Sequence, residues 1–181
     1  MNATEGLWDF SIRTYGSEGV SDVCLALQNE RGADVNMLLY CCWVATIYGK
    51  FDDDLFDIAL RFSRTWAQDV VQPLRGVRTK LKRDDCDETV RTECRMQLRE
   101  NVKRIELESE RLQQTTLEAL VPSAAQRSQI SDQLRYAAAN LRRYCQSEAI
   151  EIADESMDQL SAILAAAFPT TKPDSACELL K

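Results

Sequence analysis

The chain has few residues that interrupt helices, and this shortage constrains its fold more than any other feature. Only six glycines and four prolines occur among 181 residues. Between them, apolar side chains recur every three or four positions, as on one face of an α-helix, rather than at the two-residue spacing of a strand. The sequence therefore predicts an all-α fold with no β-sheet. A chain of this length can bury one core without disulfides or metals.

The first 83 residues are predicted to form a compact helical core. Apolar residues from Leu7 to Tyr15 share one helical face, and Gly16 follows them as a typical helix end. A second amphipathic stretch ends at Gly32. The segment from Asp34 to Tyr48 is apolar on nearly every side, so we expect it to be the central helix of the core.

A fourth helix is predicted to begin at the aspartates Asp52 to Asp54. Acidic residues are common in the first turn of a helix, because they accept hydrogen bonds from free backbone amides and oppose the positive end of the dipole. The apolar stripe then continues to Leu81, with Pro73 inside it. Because proline lacks the amide hydrogen that a helix requires, we expect a bend between Val70 and Gln72.

The second half of the chain is predicted to contain a long helical hairpin, residues 84–168, packed on the core or projecting from it. Residues 87–120 contain no glycine or proline. Apolar residues repeat there every seven positions, as in a coiled coil, at Leu98, Ile105, Leu112 and Ala119. A second apolar stripe after Pro122 is expected to return antiparallel to the first. The pattern leaves open whether residues 128–168 form one helix or two, and residues 169–181 are expected to be a flexible tail.

The charge balance argues against binding to nucleic acid. The chain carries 22 basic and 29 acidic residues, a formal net charge of -7, which disfavours phosphate backbones and anionic membrane surfaces. No apolar stretch approaches the roughly 20 residues that cross a bilayer. The sequence begins MNATEGLWDF, without a basic region ahead of an apolar one. We therefore expect a cytoplasmic protein with no secretory signal.

The seven cysteines favour a reduced, structural role. Four of them fall within apolar helical patterns, where a thiol behaves as a small apolar side chain: Cys24, Cys41, Cys42 and Cys145. The spacing of Cys86 and Cys94 matches no zinc motif, and the chain has no histidine to complete a mixed site or to activate a thiol. Glycine-rich phosphate loops are also missing. We expect no catalytic residue, no metal and no cofactor.

Several segments together resemble an uncharacterised bacterial family of short all-helical proteins. They are LWDFS at residues 7–11, GADVNMLLYCCW at 32–43, VVQPLRGVRTKLK at 70–82, and IELESERLQQ followed by ANLRRY. The resemblance extends from residue 6 to about residue 145 and implies an all-helical fold. Because the family carries no assigned function, the resemblance implies no catalytic residue. Residues from 146 onward look like an extension beyond the usual length of the family's members.

The aspartates Asp53, Asp54 and Asp57 match the D-D-x-x-D pattern that holds magnesium and diphosphate in helical isoprenoid synthases. A second acidic run lies at residues 154–158, and two helices bearing such runs could clamp metal-bound phosphates if they faced each other. Helix capping explains the first run without a metal, and short matches arise easily in an acidic chain. A magnesium-dependent enzyme acting on prenyl diphosphates is therefore a less favoured alternative.

Aromatic and polar side chains of the N-terminal half could instead line a pocket for an apolar ligand. The candidate ligand-binding residues are Trp8, Asp9, Asp34, Asn36, Trp43 and Trp66. Such pockets combine apolar walls with a few polar groups that orient the ligand. Aromatic residues at helical spacing more often pack in a core, and Asp34 and Asn36 are also expected at the start of a helix.

A basic segment supplies the candidate partner-binding residues Arg75, Arg78 and Lys82. A solvated helix face explains them as well. By elimination, and because a long charged helix leaves broad polar faces, the sequence favours a protein-interaction or regulatory module without assignable catalytic activity. It would bind an unknown protein partner or self-associate through the hairpin, and a bundle that binds a small apolar ligand is the first alternative.

Overall fold

A computed structural model describes residues 5–83, 89–122, 128–170 and 173–180. Cys86 lies outside these ranges, and so does Ser123, which was predicted to form the turn of the hairpin with Pro122. Within them the chain forms helices and no strand, which confirms the all-α prediction. The α-helices are α1 (Leu7–Tyr15), α2 (Val20–Arg31), α3 (Val35–Ile47), α4 (Asp53–Trp66), α5 (Gln72–Lys82), α6 (Thr92–Leu120), α7 (Ile130–Ser147), α8 (Asp154–Ala167) and α9 (Pro173–Leu180). None of these helices combines the length and the apolar character that crossing a bilayer requires.

Helix α3 is the centre of the core, as its apolar sequence predicts. Every residue from Asn36 to Ala45 is buried. The helix contacts α1, α2, α6, α7 and α8, so it has neighbours around its whole circumference. Burial of this apolar surface is the main force that holds the surrounding helices together.

The two long helices α6 and α7 find their main partners elsewhere than in each other. Helix α6 packs chiefly against α5, and α7 packs chiefly against α3. The apolar face of α7, which includes Leu134, Ala137 and Leu141, is buried. The antiparallel pairing of α6 with α7 is thus not the main packing of either helix, because the apolar helix α3 offers α7 more apolar surface than the charged helix α6 does.

The seven-residue repeat of α6 does not mark its buried face. Leu98, Ile105 and Leu112 are 51%, 44% and 52% exposed. The residues of α6 that are buried are mostly polar: Arg95, Val102, Glu106, Ser109, Gln113, Gln114 and Leu117. The helix therefore turns a polar stripe inward and leaves an apolar stripe outside, the reverse of the expected coiled-coil seam.

A π-helical turn (Ala67–Val71) interrupts the helical path just before Pro73, at the predicted place. The backbone N–H of Gln72 donates to the carbonyl oxygen of Ala67, five residues back, which is the hydrogen bond of a π-helix. Proline has no amide hydrogen to continue the normal pattern. The wider turn changes the register between α4 and α5, and so sets which side chains of α5 face α6.

The segment after residue 128 contains two helices, α7 and α8, rather than one. Between them Ala149 has a φ of 54°, a left-handed conformation that does not continue a helix. Helix α9 packs against α8 and α7, and its residues Ala176 and Leu180 are buried. The expected flexible tail is therefore a docked helix over residues 173–180, because its apolar side chains complete the core.

Candidate ligand-binding site

A cleft of about 1390 Å³ lies among α1, α2, α6 and the continuous unit formed by α4, the π-helical turn and α5. Residues 32–37, which lead from α2 into α3, form its inner end. The cleft exists where the polar stripe of α6 meets the start of the central helix. Several buried polar side chains therefore line it.

Five polar side chains that line the cleft are joined by hydrogen bonds, and we refer to them as the polar floor: Asp34, Asn36, Ser63, Gln113 and Gln114. They come from the start of α3, from α4 and from α6. Asn36, Ser63, Gln113 and Gln114 are buried, and Asp34 is partly buried. A buried polar group must find a hydrogen-bond partner, so this arrangement is held to one geometry.

The carboxylate of Asp34 begins the network and accepts every one of its hydrogen bonds. The backbone N–H of Asn36 donates to Oδ1 at 2.9 Å, which caps α3, and Gln113 Nε2 donates to Oδ2 at 2.7 Å. The Ser63 hydroxyl also donates to Oδ2. Burial raises the pKa of Asp34, although these hydrogen bonds oppose the shift because they favour the ionised form.

Three side-chain amides continue from this carboxylate in single file. Asn36 Nδ2 donates to Gln113 Oε1 at 2.7 Å. Gln114 Nε2 then donates to Asn36 Oδ1, also at 2.7 Å. Each amide thus donates toward Asp34, and Gln113 and Asn36 each accept from the next amide. We call this sequence of Asp34, Gln113, Asn36 and Gln114 the amide chain.

The amide chain ends in an oxygen without a partner. Among the described residues, neither Gln114 Oε1 nor Ser11 Oγ makes a hydrogen bond, and both atoms are buried. Gln114 is 3% exposed and Ser11 is 4% exposed, and both line the cleft. A buried polar atom left unpaired costs about 1–3 kcal/mol, so each of these atoms requires an explanation.

Charged side chains of α5 and α6 line another part of the cleft and pair with each other. Glu106, 5% exposed, accepts from Arg75 Nε at 3.2 Å and from Arg78 Nη2 at 3.1 Å. Arg75 Nη2 also donates to Glu110 at 3.1 Å. Burial raises the pKa of Glu110, and the Arg75 guanidinium opposes that shift. Two of the predicted partner-binding residues therefore hold α5 against α6, whereas Lys82 is exposed.

The walls supplied by α1 and α2 are largely apolar. Trp8, Ile12 and Leu25 line the cleft there, and both aliphatic side chains remain open to solvent. The Arg111 guanidinium lies 5.4 Å from the centre of the Trp8 ring, within range of a cation–π contact. Apolar walls with a few buried polar groups are the usual composition of a site for a small organic molecule.

The structure brings together three of the predicted ligand-binding residues. Trp8, Asp34 and Asn36 all line the cleft. Asp9 is exposed and is not among the residues that line it, because it follows Trp8 by one position and so lies on a different side of α1. Asp34 therefore both caps α3 and lines the cleft.

The other two predicted tryptophans do not line the cleft. Trp43 packs in the core, and its indole N–H donates to the carbonyl of Glu5 at 2.9 Å. Trp66 donates to the carbonyl of Ser109 at 3.0 Å. Both rings therefore fix neighbouring segments, as buried tryptophans with a satisfied N–H usually do.

Sequence reasoning missed four residues of the site: Ser11, Ser63, Gln113 and Gln114. In the sequence, Gln113 looks like one more polar residue of a highly charged helix. Its one available signal is its phase, because it shares a helical stripe with Val102 and Leu117, which are both buried.

The aspartates of the magnesium hypothesis lie at the start of α4. Asp52 caps that helix by accepting from the N–H of Leu55 at 2.8 Å, and Asp53 pairs with Arg143 at 2.8 Å. Helix α4 packs against the π-helical turn and α6, whereas α8, which carries the second acidic run, packs chiefly against α2 and α9. In the part of the chain that the structure describes, no three side chains of histidine, cysteine, aspartate or glutamate group as a metal site.

Four buried cysteine thiols hold their protons. Burial raises the pKa of Cys24 and of Cys145 to about 12, and it also raises the pKa of Cys41 and of Cys42. Because the thiolate is the nucleophilic and metal-binding form, these side chains act as small apolar groups of the core.

The fold and the cleft together define an all-α protein with a polar-floored cleft at the start of its central helix. Residues 6–117, more than half of the chain, match the model of a family described as "Protein of unknown function (DUF2390)". The chain belongs to this family, which confirms the resemblance to a family without assigned function. No curated protein and no solved structure matches it. The match includes the whole polar floor and ends within α6, before α7 begins.

Proposed function

We propose that this protein binds a small amphipathic organic molecule in the cleft, as a carrier or a sensor. One observation carries the proposal: Ser11 and Gln114 line the cleft, are almost fully buried, and each leave a polar atom unpaired within the described residues. A bound molecule would supply the missing hydrogen bonds and cover the apolar walls at the same time.

The free-energy costs in the cleft favour a ligand that has both polar and apolar groups. Two unpaired buried atoms cost about 2–6 kcal/mol together, a large fraction of the net stability of an ordinary domain. Water could satisfy the polar atoms, but it would leave Ile12 and Leu25 exposed. An amphipathic molecule removes both costs, since burial of apolar surface contributes roughly 25 cal/mol per Å².

The π-helical turn gives secondary support. Ala67 and Val71, at its two ends, line the cleft. Turns of this kind weaken a helix locally and occur frequently at functional sites. The position of the turn beside the cleft is therefore consistent with a binding role.

A thermal-shift screen of the purified protein against small aromatic and aliphatic alcohols, amines and carboxylic acids tests the proposal. A molecule that binds the folded state raises the melting temperature by mass action. Ser11→Ala should weaken the response to such molecules, because it removes one of the unpaired groups. Ser161→Ala is the matched control, since the Ser161 hydroxyl is also buried and unpaired among the described residues but is not part of the cleft lining.

Two results would count against the cleft as the binding site. The first is a screen in which no compound raises the melting temperature. The second is a set of active compounds whose effect is the same in Ser11→Ala and in Ser161→Ala, because the molecule would then bind elsewhere.

A second function, self-association through α6, is favoured by a separate observation. Leu98, Ile105 and Leu112 lie seven residues apart and are about half exposed, so they form an apolar stripe that the same stripe of a second copy could cover. Size-exclusion chromatography with light scattering should give a dimer for the wild type and a monomer for Ile105→Glu. A monomeric wild type would remove this proposal.

We also infer that the protein acts in the cytoplasm. The six cysteines of the described residues are all free, which suits a reducing compartment. Cell fractionation followed by detection of the protein tests this inference, and recovery in an extracytoplasmic fraction would contradict it.

A further inference from the structure

We infer that the bound molecule presents a hydrogen-bond donor, a hydroxyl or an ammonium group, to Gln114 Oε1. Asp34, at the opposite end of the amide chain, makes Gln114 present an acceptor rather than a donor, and we call this direction the polarity of the amide chain. The inference rests on the proposed ligand-binding function and adds the chemical class of the ligand's polar group. It follows from the direction of the hydrogen bonds between these two residues.

Asp34 fixes the direction in which the hydrogen bonds of the amide chain run. Its carboxylate accepts from the Asn36 backbone N–H, the Ser63 hydroxyl and Gln113 Nε2. Gln113 Nε2 also donates to the Ser63 hydroxyl oxygen at 2.7 Å, which leaves the hydroxyl hydrogen for Asp34. Each of these three groups therefore donates a hydrogen bond to the carboxylate. All three hydrogen bonds are donated to the carboxylate oxygens, so Gln113 turns its nitrogen toward Asp34.

The next amides of the amide chain must take the same direction. Because Gln113 uses its nitrogen on Asp34, its oxygen faces Asn36 and must receive an N–H from it, as it does at 2.7 Å. Asn36 consequently presents its own oxygen to Gln114, whose nitrogen donates to it at 2.7 Å. Turning a single amide would place two oxygens or two N–H₂ groups in contact, so the three amides keep one common orientation.

The consequence appears at the end of the chain, in the cleft. Gln114 Nε2 already donates to Asn36, and the atom of this side chain that no described residue satisfies is the oxygen Oε1. An ether or carboxylate oxygen placed there would meet another oxygen, whereas a hydroxyl or ammonium hydrogen would form a hydrogen bond. The second unpaired group, the Ser11 hydroxyl, can donate or accept and so does not restrict the choice.

A pair of isomers tests the polarity directly. Benzyl alcohol and anisole have the same atoms and nearly the same size, but only benzyl alcohol has an O–H to donate. Benzylamine is a third probe, and it separates preference for an ammonium group from preference for a hydroxyl. In ligand-observed NMR titrations of the full chain, benzyl alcohol or benzylamine should bind about tenfold more tightly than anisole. Equal affinities of the three probes would overturn the inference.

Asp34→Asn tests the role of Asp34 in the polarity. The substitution keeps the shape of the side chain and a good helix cap, but it places an N–H₂ group where Gln113 now finds an oxygen. All three amides can then turn together, and Gln114 would present N–H to the cleft. The affinity ratio of benzyl alcohol to anisole should fall from about ten to about one or below. Circular dichroism and the melting temperature establish that the variant is folded.

Gln114→Met provides a second variant in case Asp34→Asn does not fold. It removes the acceptor, so the preference for the donor probes should disappear without reversing. A preference that persists in Asp34→Asn would overturn the role of Asp34, and one that persists in Gln114→Met would overturn the contact itself. If no probe binds the wild type, the proposed ligand-binding function fails, whereas binding without a donor preference contradicts only the present inference.

Discussion

Replacing Gln113 by leucine should destabilise the fold strongly, because Gln113 joins the two ends of the polar floor. Its side chain is fully buried. Its nitrogen donates to Asp34 Oδ2 and to Ser63 Oγ, and its oxygen accepts from Asn36 Nδ2, each at 2.7 Å. Leucine has a similar volume but can replace none of these three hydrogen bonds.

The expected magnitude follows from the groups that are left behind. The Asp34 carboxylate loses a donor, and the Asn36 N–H₂ group loses its acceptor in a buried position. Leaving such groups unpaired costs about 1–3 kcal/mol each, and more for a charged group. Because leucine fills the space, a cavity adds little. We therefore expect Gln113→Leu to lower the free energy of unfolding by about 3–5 kcal/mol.

Urea denaturation followed by circular dichroism measures this change. Gln97→Leu is the matched control, since Gln97 lies on the same helix and is exposed; it should change the free energy of unfolding by less than about 0.5 kcal/mol. If the two variants differ from the wild type by similar small amounts, the polar floor is not a connected buried network.

Three further predictions concern other parts of the molecule. Glu106→Gln should destabilise by about 1–3 kcal/mol, because two arginines lose the charge of a buried partner; exposed Glu108→Gln should change stability by less than about 0.5 kcal/mol in the same urea assay. Leu180→Ala should cost about 2–3 kcal/mol if α9 is docked as described, and an unchanged melting temperature would contradict that docking. Because burial raises the pKa of Asp34 above its ordinary value of 3.8, the wild type should lose stability as pH rises through the raised pKa. Asp34→Asn should therefore gain stability relative to the wild type as the pH rises above 3.8, and a difference that is constant with pH would count against the raised pKa.

The central helix and the interruption before Pro73 could be predicted because each depends on local chemistry. The segment from Asp34 to Tyr48 has almost no polar face, so burial on every side was the one stable arrangement. Proline removes a backbone donor wherever it occurs in a helix. Neither inference required knowledge of which helix packs against which.

The inward face of α6 could not be predicted, because two stripes on that helix competed for burial. The apolar stripe that includes Ile105 has the stronger sequence signal, yet it is left half exposed. The stripe with Glu106 and Gln113 is buried because residues of α3, α4 and α5 offer matching partners. That match depends on tertiary packing, which a single-helix pattern does not contain.

Some residues of the candidate site could be predicted from the sequence, and others could not. Asp34 and Asn36 were predicted because the start of an apolar helix requires capping groups, whose positions are visible in the sequence. Gln114 and Ser11 were not, because an unpaired buried atom can be recognised only after its neighbours are known. The residues that carry the functional proposal are therefore those that sequence reasoning was least able to find.

We infer that Gln114 Oε1 faces the cleft as a buried acceptor that needs a donor from outside the protein. A crystal structure at about 1.2 Å resolution or better would reveal the orientation of the amides and the contents of the cleft. We predict that an oxygen or nitrogen atom of a ligand or ordered water lies roughly 2.6–3.2 Å from Gln114 Oε1, with all three amides donating toward Asp34. An oxygen satisfied by the Ser11 hydroxyl, or amides that point the other way, would contradict this inference.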